Sequence, residues 1–524
     1  MSRKAYGSNA YNYFVVFVAA LGSFTFGFTN AIVGTVLGLP SFLSYFGLAL
    51  DSSDPRDQRI IGAQNGLFFG GGLIGCFILS SLVNAWGRVR GFQVICCISV
   101  VSGILQGAAV HLGMLLVGRF LGGIASGMLC SAVPLYQSEL SPPGRRGRMV
   151  GSHGALLATG FALAGWAAYG CYFAKEGQLQ WRLLLSLQVV SPALLFAISF
   201  WMPESPRWLI MKEHKQAGLE TLKRLHHTAN DPDNILAHEE YHQICGQLAL
   251  EAEKPSTFWR LIRYPSYRRR FLLAFFLQFI CESSGIAVIN NYSVLLYTGL
   301  GLTGWKPLLV YAGYATWAGI TNYASSLIID RVGRVRLFKI GAVTTLICLV
   351  VFAALSAAVE DSGDKVISGA AVAILFLYLT CFATCMDTNS FVYCVEIFPT
   401  NARAVGFSTA VCGWIGTNLV YTQVASIAFN TIKWRFLLVF ICISAATLPF
   451  WWYCLPETKD LSLEEIAALF EDEVAIDFTH MGEDERREWD AALLQGDSKG
   501  ANALKGLSYH LEEAKAGATN AACG

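Results

Sequence analysis

The chain has 524 residues, 54% hydrophobic and only 14% charged, with 38 basic and 37 acidic side chains for a net charge of +1. A mean hydropathy of +0.46 excludes an ordinary soluble domain, which does not sustain long uncharged runs, and the balanced charge gives no footing for a nucleic-acid partner. A bilayer crossing needs about 20 consecutive apolar residues, and this chain supplies many such runs.

In chain order, the first run, 13–36, is too long for a cleavable signal peptide and reads as a crossing helix. Further runs follow at 60–82, 92–111, 113–134, 150–173, 182–202, 270–297, 307–329, 337–359, 366–394, 404–429 and 434–455. The expected fold is an all-α membrane protein of twelve transmembrane helices in two pseudo-symmetric six-helix bundles. Its segments are an N-terminus at 1–12, bundles at 13–202 and 270–455, a helical insert at 203–269 and a tail at 456–524. In the insert, Asp231 or Asp233 is placed to cap a helix running through Glu239 to Glu251. The tail opens on an amphipathic turn, Leu463-Glu464-Glu465-Ile466, and its last forty or so residues, Ala/Gly-rich, are expected to be disordered.

Basic residues crowd alternate loops: Arg88 and Arg90; Arg145, Arg146 and Arg148; Arg331, Arg334 and Arg336; Arg403; and the Arg268-Arg269-Arg270 run of the insert. The opposite loops are poor in them, and Glu360-Asp361-Ser362-Gly363-Asp364 is acidic. The positive-inside rule then makes both termini and the insert cytoplasmic. Most of the fifteen cysteines lie inside apolar runs, where they read as small packing residues and not as a disulfide framework. The triplet Asn291-Tyr292-Ser293 falls within a span and should be unreachable for glycosylation.

The halves share their charged punctuation. Tyr136-x-x-Glu139-x-x-Pro142-x-x-x-Arg146 recurs as Tyr393-x-x-Glu396-x-x-Pro399-x-x-x-Arg403, Gly87-Arg88 matches Gly333-Arg334, and Pro203-Glu204-Ser205 matches Pro456-Glu457-Thr458. Duplication of this kind between apolar spans points to an alternating-access carrier with its site near the midplane, between the halves.

Pro203-Glu204-Ser205-Pro206-Arg207-Trp208-Leu209, Pro134-Leu135-Tyr136-Gln137-Ser138-Glu139, Gly118-Arg119-x-x-x-Gly122, Val395-Glu396-Ile397-Phe398-Pro399-Thr400 and Pro456-Glu457-Thr458-Lys459 together resemble the sugar porter family of the major facilitator superfamily, in order from about residue 13 to 470. The Ile289-Asn290-Asn291-Tyr292 run resembles a filamentous-fungal branch. The resemblance implies a secondary transporter of a sugar or sugar-like solute, acting as a proton symporter or a facilitator, as a monomer in the plasma membrane and without a cofactor. It also implies a cytoplasmic gate of Arg88, Glu139, Arg146, Glu204, Asp330, Arg334, Glu396 and Arg403, which latches the halves and breaks on inward opening. Asn84 and Ala85 stand where Asp and Arg are usual, so the first half of the latch should be weaker.

The substrate-facing positions depart from the family. Span one offers Gly27-Phe28-Thr29-Asn30 where proton-coupled members carry an Asp; the sugar-binding Gln of span five is Gly154, after His153. Span seven keeps Gln278 but has Cys281-Glu282 and Ala287 for the usual amides, and span eight has Ala318 with Asn322 one turn away. In span ten Asp387-Thr388-Asn389-Ser390-Phe391 replaces a Pro-Trp element, while Trp414 matches. Substrate contacts are therefore expected from Gln278, Glu282, Asn290, Asn291, Tyr292, Asn322, Asp387, Phe391, Trp414 and His153. An intramembrane carboxylate is costly and marks a pathway or relay, which makes Glu282 and Asp387 the proton-coupling candidates. The bland reading is a protonated structural carboxyl, and for His153 a packing residue.

Three rival readings stand beside sugar uptake. His238-Glu239-Glu240-Tyr241-His242 matches the zinc-protease pattern on a helix, but the insert is too small for a cleft and short of a third ligand, so no enzyme is expected. A non-transporting nutrient sensor would want a longer tail. Export or uptake of a non-sugar metabolite, a quinate-like acid or a secondary product, is the nearest rival, because the altered site has lost several amides that would hold a pyranose.

Overall fold

In the computed structural model the described residues are 9–48, 55–142, 146–174, 177–227, 231, 234–251, 262–362, 364–399, 402–459, 461, 466 and 469–470. The first half is built from α1 (Ala10–Val36), α2 (Pro40–Phe46), α3 (Pro55–Trp86), α4 (Arg88–Gly107), α5 (Leu112–Leu140), α6 (Arg146–Tyr172), α7 (Gly177–Leu187) and α8 (Val190–Ser199). The insert forms α9 (Pro206–Met211), α10 (Lys215–His226) and α11 (Ile235–Glu251). The second half holds α12 (Pro265–Glu282), α13 (Ile286–Asn291), α14 (Ser293–Gly299), α15 (Lys306–Val332), α16 (Arg334–Ser362), α17 (Lys365–Phe382), α18 (Thr388–Glu396), α19 (Arg403–Thr431), α20 (Leu437–Ala446) and α21 (Leu448–Tyr453).

Nine helices among the described residues are long and apolar enough to cross a membrane. The three remaining predicted spans map onto α12–α14, α15 and α19, which do not meet the same test of length and apolarity: span seven is divided into helices of 18, 6 and 7 residues and opens on Arg268-Arg269-Arg270. These spans carry Glu282, Asn322 and Asn418, which line a cavity between the halves. Packing inside each half relies on small residues. A Cβ at Gly123 of α5 would overlap the Phe68 carbonyl of α3, so the two backbones meet where only glycine fits. The halves join along α15 against α6 and α19 against α3, contacts that respect the internal two-fold.

Four spans read as continuous in the sequence are not uniform α-helices: span six turns at Gln188-Val189 between α7 and α8, span twelve at Thr447 between α20 and α21, and the changes in spans seven and ten bear on the site. Span seven breaks after Glu282 at Ser283-Ser284-Gly285, with Gly285 at φ +95°, a conformation glycine adopts without penalty. The freed polar groups find partners: Tyr378 Oη donates to the Ser284 carbonyl (3.0 Å) and Tyr421 Oη to Ser283 Oγ (3.1 Å). Span ten passes through a π-helical turn at Ala383–Asp387, and Ser325 Oγ donates to the Thr384 carbonyl there (2.7 Å). Such bulges recur at functional sites, and this one ends on Asp387.

The duplicated punctuation resolves into one construction made twice. Glu204 accepts from the backbone N–H of Arg88 (2.8 Å) and Val89 (3.2 Å), capping α4; Glu457 accepts from Arg334 (3.0 Å) and Val335 (3.0 Å), capping α16. Each carboxylate lies against a glycine of positive φ, Gly87 at +95° and Gly333 at +101°. The repeated tyrosines tie the same joints, Tyr136 Oη to the Pro203 carbonyl (2.5 Å) and Tyr393 Oη to that of Pro456 (2.9 Å).

Asp231 caps α11 through the N–H groups of Ile235 (3.0 Å) and Leu236 (3.1 Å); Asp233 lies outside the described residues, as do the first eight residues, Leu463-Glu464-Glu465 and the tail beyond 470. Asn9 Nδ2 donates to the Arg224 carbonyl (2.8 Å), and Arg270 lies over Phe470 (4.5 Å). The start of α1, the insert and the residues after Pro456 thus share one end of the molecule, the insert side. All fourteen described cysteines are free, and Asn291 is buried.

Candidate functional site

A cavity of about 50 Å³, room for a few waters, lies at the centre of the molecule between the halves. Its polar wall is made by five asparagines, Asn30, Asn290, Asn291, Asn322 and Asn418, and by the carboxylates of Glu282 and Asp387. Phe161, Tyr311, Tyr314, Phe382, Phe391 and Trp414 supply the apolar wall. Among the described residues, the first half contributes Asn30 of α1 and Leu157, Ala158 and Phe161 of α6.

Each carboxylate is held by an amide on a neighbouring helix. Asn418 Nδ2 donates to Glu282 Oε2 (3.0 Å) and to the Trp414 carbonyl (3.0 Å). Asn322 Nδ2 donates to Asp387 Oδ2 (3.1 Å), and its Oδ1 accepts from Thr388 Oγ1 (2.7 Å). Among the described residues no lysine, arginine or histidine lines this cavity. Two carboxylates therefore share a closed space with amide donors and no counter-ion, an arrangement that favours neutral guests and taxes any further negative charge.

The other expected contacts lie outside the lining. Gln278, one turn before Glu282, is fully buried among helices, because α12 ends at Glu282 and the chain turns away into the cavity only there. His153 sits a layer behind the wall, its Nδ1 2.7 Å from Ser23 Oγ and its ring 4.8 Å from that of Phe391. Tyr292 belongs to the closure on the far side: its Oη donates to the Thr422 carbonyl (2.7 Å) and accepts from Asn65 Nδ2 of the first half (3.4 Å). Beside it, a Cβ at Gly34 of α1 would come 2.7 Å from the Asn291 carbonyl.

The insert side is closed by charge. Arg88 grips Glu139 with two parallel bonds, Nε to Oε2 (2.9 Å) and Nη2 to Oε1 (2.8 Å). Arg334 Nη2 reaches both Glu396 (2.9 Å) and Asp330 (3.0 Å), and Thr458 Oγ1 donates to the other oxygen of Glu396 (2.8 Å). Those pairs stay within one half; a bond that crosses runs from Arg148 N–H, at the start of α6, to Asp330 Oδ2 (2.9 Å). Gly147 allows it, since a Cβ there would overlap Asp330 Oδ1. At the matching place in the first half, Asn84 is engaged through its carbonyl, by Trp208 Nε1 (3.1 Å). Buried Arg403 donates to the Phe398 carbonyl (3.1 Å) and lies within electrostatic reach of Glu139 across the interface. Arg146 opens α6, its side chain outside the described residues; Glu204 serves as the cap described above.

The profile of the sugar (and other) transporter family matches residues 15–470. This chain belongs to that family. The "MFS-type transporter criB" of Aspergillus cristatus is 32% identical to the transporter over 90% of this chain and 96% of its own length. A quinate permease of Neurospora terricola is 29% identical, over 88% of this chain and 89% of the permease. In fold, the proton:xylose symporter XylE, bound to 6-bromo-6-deoxy-D-glucose, superposes with a TM-score of 0.76 at 21% identity, covering 88% of the transporter and 99% of XylE. The chain is thus a multi-pass membrane transporter of small solutes, not an enzyme. In the insert, burial pushes the imidazoles of His238 and His242 below their ordinary range, Glu240 is taken by His226 (2.9 Å), and no metal-holding group of three ligands occurs among the described residues.

Six groups of the walls, Asn30, Phe161, Tyr311, Tyr314, Phe382 and Asn418, were not among the contacts expected from the sequence. Asn418 could have been found from Trp414, four residues before it on the same helical face. Tyr314, like other aromatics of these spans, carried no distinguishing signal.

Proposed function

We propose that the transporter carries a neutral, polyhydroxylated solute, a sugar or a polyol, across the plasma membrane by alternating access, as a monomer with the insert and both termini in the cytoplasm. The observation that carries this reading is the central cavity itself: five amides and two carboxylates facing aromatic rings, without a cation among the described lining residues. Hydroxyls satisfy such a wall in both directions, donating to the carboxylates and accepting from the amide N–H groups. Aromatic faces suit the C–H surface of a ring. Closures on both sides of the cavity, Asp330 to Arg148 and Asn65 to Tyr292, support a site occluded at mid-depth and opened by either gate. A quinate-like anion fits less well, because it would face Glu282 and Asp387 with no positive partner among the described lining residues.

The test is uptake in yeast lacking its own hexose carriers, with labelled glucose, xylose, galactose, a disaccharide, a polyol and quinate. Saturable uptake of a neutral member, competed by other neutral members and not by quinate, is expected. Saturable quinate uptake with no neutral competitor would overturn the reading.

A further inference from the structure

We propose that Asp387, with Asn322 and Thr388, is a proton site that the first half reads through Gly154, so that closing of the halves is linked to protonation of this carboxylate. The inference rests on the alternating-access reading above. Asp387 ends the π-helical turn of span ten and faces the cavity, its Oδ2 taking a single amide donor, Asn322 Nδ2 (3.1 Å). Thr388 Oγ1 locks the amide's other end (2.7 Å). The helix of the opposite half, α6, seats on that pair: a Cβ at Gly154 would overlap Thr388 Oγ1 and come 3.3 Å from Asn322 Oδ1. One turn earlier, a Cβ at Gly151 would come 3.2 Å from Thr388 Cγ2 and 2.8 Å from Ser326 Cβ. The departure at Gly154 and the departure at Asp387-Thr388 are therefore one feature, a polar network on the second half fitted to a bare backbone on the first.

This juxtaposition couples the two events. With α6 seated, Asp387 lies in a small closed space without a cation, and the ionisable groups around it are Glu282 and Cys281 of α12, Cys130 of α5 and Tyr314 of α15. His153 of α6 stands behind Phe391. An ionised Asp387 opposes closure there, while a protonated one needs only its amide partner. When α6 lifts away, water reaches the carboxylate and the ionised form is stabilised. By linkage, a proton that favours the closed state must be bound more tightly in it. The step is a transfer of one proton, taken up by the Asp387 carboxylate from one side and given to water on the other, with only O–H bonds made and broken.

The experiment uses the full-length chain in lipid vesicles, with Cys97, Cys245, Cys381, Cys442, Cys454 and Cys523 replaced by serine and Ser326→Cys as a reporter. Ser326 is buried beside Gly151 on the insert side of the network. The rate of maleimide labelling reads opening without any solute. Expressed relative to labelling of the same thiol in denatured protein at the same pH, which cancels the thiol's own titration, the rate is expected to be at least about threefold slower near pH 5.5 than near pH 7.5, the sign required when the closed state binds the proton. Asp387→Asn should be slow and flat across that range, Glu282→Gln should keep the pH response, and Asp387→Glu should keep it with a shifted midpoint, which also shows that the position tolerates change. A pH response that survives Asp387→Asn, or no response in the parent, overturns the proposal. Accumulation of whichever neutral solute the panel identifies should be lost in Asp387→Asn. If no panel solute moves but labelling still follows Asp387, the solute reading fails and the proton site stands.

Discussion

Truncating Asp330 removes the bond by which the second half caps α6 of the first. A carboxylate accepting a helix N-terminal N–H is worth about 1 kcal/mol, and its charge at the positive end of the helix adds about 0.3–1 kcal/mol. Together these predict that Asp330→Ala raises the ratio of insert-side-open to closed molecules by roughly 10- to 30-fold. The side chain is 21% exposed, so solvent screening places the effect nearer tenfold. Thiol labelling of Ser326→Cys measures it, since the rate follows the open population when opening and reclosing outpace the reagent. Gly147→Ala supplies the control. Its Cβ would overlap Asp330 Oδ1, so it should speed labelling comparably by displacing the same carboxylate. In the double variant the overlap has nothing to meet, and the combined effect should be close to one single effect, a coupling of about 1 kcal/mol. Additive effects, or a labelling rate unchanged by Asp330→Ala, would refute the assignment of Asp330 as the latch between halves.

Three other outcomes follow from the geometry. Gly333→Ala forces φ near +101° on a residue with a Cβ 2.9 Å from Glu457 Oε2, so it should cost about 1–3 kcal/mol and lower the midpoint of thermal unfolding, with Gly87→Ala behaving alike; equal melting of either variant and the parent contradicts this. Asn418→Ala leaves buried Glu282 without its amide donor and should lower kcat/KM for the transported solute by roughly 10- to 100-fold, whereas a change under about threefold would take Glu282 out of the site. Tyr292→Phe removes the bond to the Thr422 carbonyl and the Asn65 contact; it should raise far-side accessibility of a thiol at Ser293 by about fivefold, with insert-side labelling unchanged.

The multi-span helical architecture and its duplication were legible in the sequence because the bilayer and the internal two-fold impose local signatures: apolar runs of spanning length, and the same tyrosine, glutamate, glycine and arginine at matching places in each half. Arg88 with Glu139 and Arg334 with Glu396 could be anticipated as network members for that reason. Their partners could not be assigned in advance. That Glu204 and Glu457 cap the helices beginning at Arg88 and Arg334, more than a hundred residues upstream, is a fact of how helix ends meet at the membrane surface. The breaks in spans seven and ten were hidden because hydropathy averages over a window, while Gly285 and the π-helical turn act at single residues. Helical spacing placed Gln278 beside Glu282, but the helix stops at Glu282, so only the second reaches the cavity. The sequence also showed Gly154 as a lost amide; only tertiary packing, which sets its bare backbone against Thr388 and Asn322, shows what occupies the place of that side chain.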